Sequence, residues 1–148
     1  VMAEAPTLLE GYQVLHKLAQ ETSFSADELT VVWQSINVEH ACHYCVPAHT
    51  GIAKSMNVSD TLIEELRNDE VLSDSKLNTL KETVLAVTRG RGNVEETQLK
   101  AFYDAGYAHK QLLEIILVLA QKVMSNYTNH LAETPVDEPF KKFEWSPK

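Results

Sequence analysis

The sequence predicts one all-α domain. Apolar residues recur at helical spacing along nearly the whole chain, no strand alternation of useful length appears, and no linker or internal repeat divides the 148 residues. A chain of this length fits a single domain, so the prediction covers residues 1–148. Such a domain buries roughly 68–70% of its unfolded surface, and therefore needs neither a disulfide nor a metal ion to fold.

The first two predicted helices carry recognisable start signals. Apolar residues from Leu8 to Ala19 follow one helical face, and Pro6 is placed as a first-turn proline. The run Ser25-Ala26-Asp27-Glu28 has the pattern of a capping box, ahead of an apolar stripe from Leu29 to Ile36. Two amphipathic helices are therefore expected in the first 40 residues.

The next two helices are shorter. One is expected from Cys45 to about Met56. Because Pro47 lacks an N–H and does not fit mid-helix, the chain should break or begin a new first turn near residues 43–46. Ser59 is then the expected cap of a short helix that runs through Leu66.

The second half of the chain predicts three more helices. The first carries the stripe from Leu77 to Val87 and ends at the Gly90-Arg91-Gly92 loop. The second opens with Asn93 as its cap and closes at Gly106. The segment from about His109 to Leu131 contains LLEIILVLAQKVM, which is apolar on nearly all sides, and is predicted to be the central buried helix. The tail that follows is expected to be extended and to pack its aromatic residues on its own core or on a neighbour.

Charge and hydropathy exclude several partners. Thirteen basic against 21 acidic residues give a net charge of −8, which disfavours nucleic acid and anionic membrane surfaces. The longest strictly apolar run, Ile115 to Ala120, is far shorter than the ~20 residues that span a bilayer. No signal peptide is visible at the N-terminus, so a cytoplasmic location is expected.

The functional signal is concentrated in one short motif. Both cysteines of the chain, Cys42 and Cys45, are separated by two residues, and three of the six histidines lie within positions 40–49. The spacing allows a reversible disulfide, a metal site or an activated thiolate. In a chain without an export signal the pair is interpreted as catalytic or metal-binding, since cytosolic thiols are kept reduced. A thioredoxin-type CxxC follows a strand, and no strand is predicted here.

His49 favours the activated thiolate. It follows Cys45 by four residues, which on a helix places the imidazole one turn from the Cys45 sulfur. Histidine titrates near neutral pH, so it can take a proton from one sulfur and return it to a leaving group. If Cys45 lies in the first turn, the helix N-terminus also favours its thiolate. Oxidation of one cysteine to sulfenate would be followed by attack of the other, which closes the disulfide.

The segment from Glu39 to His49 resembles the alkylhydroperoxidase D-like (AhpD-like) branch of the carboxymuconolactone decarboxylase superfamily. The similarity extends along most of the chain and includes residues 6–12, the helix before the motif, and residues 50–53, 104–107 and 125–131. It implies an all-helical domain built around a CxxC-bearing helix and a buried C-terminal helix. It also implies a trimeric or hexameric homo-oligomer with thiol-dependent peroxidase activity. No bound cofactor is required, because the dithiol itself cycles.

The resemblance also implies roles for individual residues. Cys45 and His49 would carry peroxide reduction, Cys42 would resolve the oxidised intermediate, and a glutamate would complete a proton relay. In alkylhydroperoxidase D that glutamate lies twelve residues before the first cysteine, a position that Thr30 occupies here. Glu39, three residues before Cys42, is therefore the candidate for the orienting carboxylate, provided that the helix runs on unbroken.

Two further residues are secondary candidates. Tyr44 is either a packing aromatic or a pocket wall with a useful hydroxyl. His130 belongs to a polar group with Asn126, Tyr127 and Asn129 at the end of an apolar helix. These side chains could reach the site or a subunit interface, or could simply cap the helix.

The predicted function is a thiol-dependent (alkyl)hydroperoxide reductase of antioxidant defence. Its substrate is a hydroperoxide, and its electron donor is a small thiol, a lipoylated protein or a thioredoxin-like protein. Two alternatives remain: a thiol–disulfide adaptor with little peroxidase activity, and a non-catalytic metal-binding or scaffold oligomer. The metal interpretation uses donor side chains of the motif as tetrahedral zinc ligands: Cys42, Cys45, His49 and one of Glu39, His40 and His43.

Overall fold

The computed structural model describes residues 1–147, which form seven α-helices, two short 3-10 helices and no strand. The α-helices are α1 (Pro6–Gln20), α2 (Ala26–Glu39), α3 (Cys45–Ser55), α4 (Asp60–Arg67), α5 (Ser75–Arg89), α6 (Glu96–Asp104) and α7 (His109–Leu131). The 3-10 helices are Met2–Glu4 and Glu138–Phe143. The predicted all-α class is confirmed.

Local start signals act as the sequence indicates. Pro6 occupies the first position of α1. The Ser25 hydroxyl accepts the Glu28 N–H at 3.2 Å, and the Glu28 carboxylate accepts the Ser25 N–H at 2.9 Å, which completes the capping box of α2. The Ser59 hydroxyl accepts the Leu62 N–H and caps α4.

The chain breaks between α2 and α3, immediately before the two cysteines. Ala41 adopts a left-handed conformation with φ 51, and the Cys42 N–H donates to the Asn37 carbonyl at 3.0 Å. Helix α3 then begins at Cys45, with Pro47 in its first turn, where a missing N–H costs nothing. The break that Pro47 predicts is confirmed, and α2 and α3 are separate helices.

The start of α6 differs from the prediction. Helix α6 begins at Glu96 with Glu95 as its cap residue, and no side chain caps it. The amide of Asn93 instead donates to the Gly90 carbonyl at 3.0 Å, which closes the loop after α5. The cap prediction was wrong because the same side chain satisfies the previous helix end. Gly106, with φ +94, ends α6 as predicted.

Helix α7 has the predicted bounds but is buried on one face only. It packs against α1, α2, α3 and α5. Leu113 and Ile116, in its first half, are 53% and 52% exposed. The buried face of its second half is mostly polar, and consists of Gln121, Lys122, Ser125, Asn126 and Asn129. Composition alone does not predict which face is buried, because the apolar residues of LLEIILVL are distributed over all sides of the helix.

Helix α2 lies at the centre of the fold. Its residues from Leu29 to Asn37 are all buried, and it contacts α3, α4, α5 and α7. No helix within residues 1–147 combines the length and the apolar character that a membrane crossing requires.

The C-terminal tail packs on its own chain. The helix Glu138–Phe143 contacts α3, and the Phe140 ring lies so close to Gly51 that a Cβ there would come within 2.8 Å of it. The Trp145 indole donates to the Arg67 carbonyl at 2.8 Å, and the Arg67 guanidinium donates to the Phe143 carbonyl at 3.0 Å. The tail therefore forms one wall beside α3.

Candidate active site

The two cysteines are free thiols in contact at the start of α3. Cys42 is fully buried, and Cys45 is 3% exposed. The backbone N–H of Cys45 donates to the Cys42 sulfur at 3.3 Å, which holds the two side chains together at the start of the helix. The predicted pair is thus assembled as a dithiol, with Cys45 as the first residue of the helix.

The surroundings make the two sulfurs different. The hydrogen bond from the Cys42 thiol lowers the pKa of Cys45, and the Lys122 charge and the Asn129 amide, 3.3 Å away, lower it further against the opposing effect of burial. The same shared hydrogen bond, together with burial, raises the pKa of Cys42. Cys45 is therefore the thiolate, and Cys42 is the thiol that stabilises it.

His49 lies one turn after Cys45 and is held on two sides. Its Nε2 accepts a hydrogen bond from Nζ of Lys122 at 2.8 Å, and its ring meets the Trp33 indole edge-on with centroids 4.8 Å apart. Burial, the Lys122 charge and His16 hold the pKa of His49 well below its usual value. The imidazole is therefore neutral, and Nδ1 has no hydrogen-bond partner among residues 1–147.

Lys122 reaches the site from α7. It is 1% exposed, and burial lowers its pKa while the two cysteines act in the opposite direction. No carboxylate of the described residues pairs with it, since its only hydrogen-bond partner there is His49. A buried cation without a carboxylate partner is costly, so the cysteines of the motif are the negative groups that can stabilise the Lys122 charge.

Two amide networks hold the site in place. Gln121 accepts the Trp33 N–H at 3.0 Å and donates to His16 Nδ1 at 3.2 Å, which fixes the indole beside His49. On the other side, a chain of buried amides joins three helices: Asn126 donates to Asn37, Asn37 to Gln34, and Gln34 to the Val46 carbonyl of α3. Every link is satisfied, so the start of α3 is tied to α2 and α7.

Cys45, His49 and Lys122 line a common cavity of about 330 Å³. The rest of its wall includes apolar and aromatic side chains from the N-terminus, α1, α3 and the tail, namely Met2, Tyr12, Ala48, Ile52 and Phe140. Cys45, Lys122 and an apolar wall therefore border one space whose volume suits a small organic molecule.

The remaining predicted residues lie in different places. Tyr44 lines the cavity and donates its hydroxyl to the Asp137 carboxylate at 2.6 Å. Burial, together with Asp137, raises the pKa of Tyr44, so its phenol stays protonated. His130 is exposed, stacks on His43 with centroids 6.5 Å apart, and does not line the cavity. Cys42 lies behind Cys45, outside the lining.

Glu39 is bound elsewhere. Its two carboxylate oxygens accept hydrogen bonds from Nε and an Nη of Arg89, at 2.9 and 2.7 Å. It is the last residue of α2, and the chain turns away before Cys42. The unbroken helix on which the Glu39 prediction depended does not form, so the structure does not bring this carboxylate to His49. Thr30, at the position expected for glutamate, is buried with no partner for its hydroxyl among the described residues.

Sequence reasoning did not assign Lys122. A signal was present: Lys122, Asn126 and Asn129 follow the i, i+4, i+7 spacing of one helical face within an apolar segment. The polar group of the sequence analysis includes both asparagines but not Lys122, and Asn129 does reach the Cys45 sulfur. Within residues 1–147, no three His, Cys, Asp or Glu side chains are arranged to hold a metal ion.

Comparison with known proteins shows the fold class. No family model matches the sequence, and no curated protein does. The structure is similar to the alkylhydroperoxidase AhpD core of an uncharacterized peroxidase-related protein from Ralstonia eutropha JMP134, with a TM-score of 0.84 and 16% identity over 94% of this chain and 75% of that one. An uncharacterized peroxidase-related protein from Silicibacter sp. TM1040 is similar at a TM-score of 0.75, with 16% identity over 89% and 71%. The chain therefore has the AhpD-like fold, as its motif predicts.

Proposed function

We propose that this protein is a thiol-dependent hydroperoxide reductase. The observation that carries the proposal is Cys45: it lines a cavity, and the free thiol of Cys42 lies beside it, with the Cys45 N–H on the Cys42 sulfur. The names of the two similar structures, AhpD core and peroxidase-related, agree with this chemistry.

In the first step, the Cys45 thiolate attacks the terminal oxygen of the hydroperoxide. The O–O bond breaks, Cys45 becomes a sulfenic acid, and the alkoxide that leaves takes up a proton to become an alcohol. Two electrons pass from sulfur to the peroxide. Because Cys45 is 3% exposed, a small molecule that enters the cavity fits this step better than a protein disulfide does.

In the second step, the sulfur of Cys42 attacks the sulfenic acid of Cys45. A disulfide forms, and the hydroxyl group leaves as water with the proton of the Cys42 thiol. A dithiol donor then returns two electrons by exchange and restores both cysteines. His49, as a neutral imidazole beside Cys45, serves as the proton-relay partner in this cycle. We assign no step to Glu39.

Peroxide consumption with a dithiol donor tests the proposal. We expect Cys45→Ser to abolish turnover while the helix content is retained. Cys42→Ser should react once and accumulate a sulfenic acid that dimedone traps, but should not complete the cycle. Turnover that persists in both variants would refute the mechanism. Two thiols that never oxidise, with stoichiometric zinc in the purified protein, would favour the metal-binding alternative instead.

We also propose that copies of this chain associate as a trimer or hexamer. Leu113 and Ile116 are half exposed and line a mostly apolar groove between α5, α6 and α7, together with Val94, Leu99 and Leu112. Exposed aliphatic groups in a groove are typical of surfaces that another chain covers. In the proposed oligomer, a second copy of this chain covers the groove.

A further inference from the structure

We infer that Lys122 is the general acid of the reaction, the group that protonates the alkoxide as it leaves the peroxide. This inference rests on the proposed function and names the source of the proton that the first step consumes. It assigns a catalytic role to a residue of α7 that lies outside the CxxC motif.

The position of Lys122 fits this role. It lines the same cavity as Cys45, so both groups border the space in which a peroxide would bind. Its ammonium carries three N–H bonds, and among residues 1–147 only His49 Nε2 accepts one, at 2.8 Å. The other N–H bonds are available to a peroxide in the cavity. The anchored imidazole sets the direction of the lysine side chain.

Lys81, a second buried lysine, differs from Lys122 because its charge is paired and its role is structural. Nζ of Lys81 is bound by the Asp69 carboxylate at 2.7 Å and by the Glu70 carbonyl at 2.7 Å. Its charge is neutralised, and it faces no part of the cavity lining. Lys122 has no such counter-ion. Its partners are an imidazole and, across the cavity, a thiolate that the reaction consumes.

The titratable groups around Lys122 come from several elements. Cys45 and His49 belong to α3, Cys42 to the preceding turn, and His16 to α1. Burial lowers the pKa of Lys122, which makes the ammonium a stronger acid than a lysine in water. The negative charge of Cys45 raises the pKa of Lys122. Oxidation of Cys45 removes that charge as the alkoxide forms, so Lys122 becomes a stronger acid when the proton is needed.

The proton and electron balance closes over a cycle. The Cys45 thiolate, the hydroperoxide and the Lys122 ammonium give the Cys45 sulfenic acid, the alcohol and a neutral Lys122 amine. Disulfide formation with Cys42 then releases water. After a dithiol reduces the disulfide, the Cys45 thiol passes its proton to the Lys122 amine, and the thiolate–ammonium pair is restored.

The choice of oxidant tests this assignment. The reduced protein is mixed with cumene hydroperoxide, which releases a strongly basic alkoxide, or with peracetic acid, which releases a weakly basic carboxylate. Cys45 oxidation is followed by quenched-flow mass spectrometry. The pH is chosen so that Cys45 is fully ionised in each variant, as judged by its alkylation rate. We expect Lys122→Met to slow the reaction with cumene hydroperoxide about 100-fold and the peracid reaction by less than about 3-fold.

Two variants serve as controls. Lys81→Met also removes a buried lysine, and should leave both oxidation rates unchanged even if it lowers the melting temperature. Lys122→Arg keeps the charge but holds its proton too tightly to donate it, so it should retain the low alkylation midpoint of Cys45 and still react slowly with cumene hydroperoxide. Because Lys122→Arg retains the cation, it supplies the test if Lys122→Met fails to fold.

The possible outcomes separate the two proposals. An equal slowing with both oxidants, or no slowing at all in either Lys122 variant, would overturn the acid role while leaving the peroxidase intact. Wild-type Cys45 that resists both oxidants would overturn the proposed function and the acid role together. Selective slowing with cumene hydroperoxide supports both.

Discussion

Nζ of Lys122 lies 2.8 Å from Nε2 of His49, although 73 positions separate the two residues in the chain. The contact joins α7 to α3 beside the Cys45 sulfur, in a cavity that all three side chains line. Burial acts most strongly on His49, and the Lys122 charge adds to it, so that the pKa of His49 is low and the imidazole neutral; the same charge lowers the pKa of Cys45. The reactivity of the motif therefore depends on a helix that lies far from it in sequence.

The thiolate of Cys45 should persist well below the pH at which a free cysteine ionises. Alkylation by iodoacetamide, mapped to Cys45 by mass spectrometry, measures the midpoint. Removal of the thiol donor in Cys42→Ala should raise that midpoint, because the hydrogen bond from Cys42 is the largest stabilising contribution. Cys42→Ser, which keeps an O–H donor, should lie between the two. Identical midpoints in all three proteins would contradict the proposed stabilisation.

The same lowered pKa has a consequence for stability. Since the folded state lowers the pKa of Cys45, its thiolate contributes stability that is fully present above the pKa of the unfolded thiol. That contribution is lost as the pH falls through the lowered folded value. The free energy of unfolding of the reduced wild type, relative to Cys45→Ser, should therefore decrease on acidification across this window. Urea titrations at a series of pH values check the sign, and an increase would refute it.

Asn129 should contribute to the same thiolate. Its amide donates to the Cys45 sulfur at 3.3 Å, and a hydrogen bond to a charged group is worth about 1.5–3 kcal/mol. Asn129→Ala should therefore raise the alkylation midpoint of Cys45 by about one to two pH units. Asn93→Ala is the matched control, since that amide binds the Gly90 carbonyl in an exposed loop. A shift of equal size in both variants would rule out a specific effect.

Glu39 and Arg89 allow a direct test of the carboxylate relay. Glu39→Gln and Arg89→Gln break the same partly exposed ion pair, so each should cost less than about 1 kcal/mol of stability. The geometry predicts unchanged peroxide turnover in both. If Glu39 served the relay predicted from the motif, only Glu39→Gln would lose activity. Steady-state rates of the pair at several pH values distinguish these results.

The groove on α7 should govern assembly. A charge at its rim, in Ile116→Asp, should reduce the sedimentation coefficient from that of a trimer or hexamer to that of a monomer, because burying an unpaired carboxylate is costly. Val71→Asp is the control: Val71 is an exposed aliphatic residue that does not line the groove. A wild type that sediments as a monomer, or an assembly that Ile116→Asp leaves intact, would exclude this interface.

Local signals predicted the elements well, because they act over a few residues. The capping box at Ser25, the break before Pro47 and the glycine end of α6 at Gly106 all depend on neighbouring backbone groups. The cap expected at Asn93 does not form, again for a local reason. The Asn93 amide lies between two helix ends and binds the Gly90 carbonyl of the first. For α7, composition predicted the helix but not which of its faces is buried.

By itself, the sequence determined the all-helical class, the CxxC dithiol at the start of a helix and the i, i+4 relation of Cys45 to His49. Tertiary structure alone decided the rest of the site. It placed Lys122 and Asn129 against the motif and left Glu39 with Arg89. Spacing along a helix fixes which side chains share a face, whereas contact between helices depends on how their faces pack. The charge beside a thiolate is therefore known only once the helices are assembled.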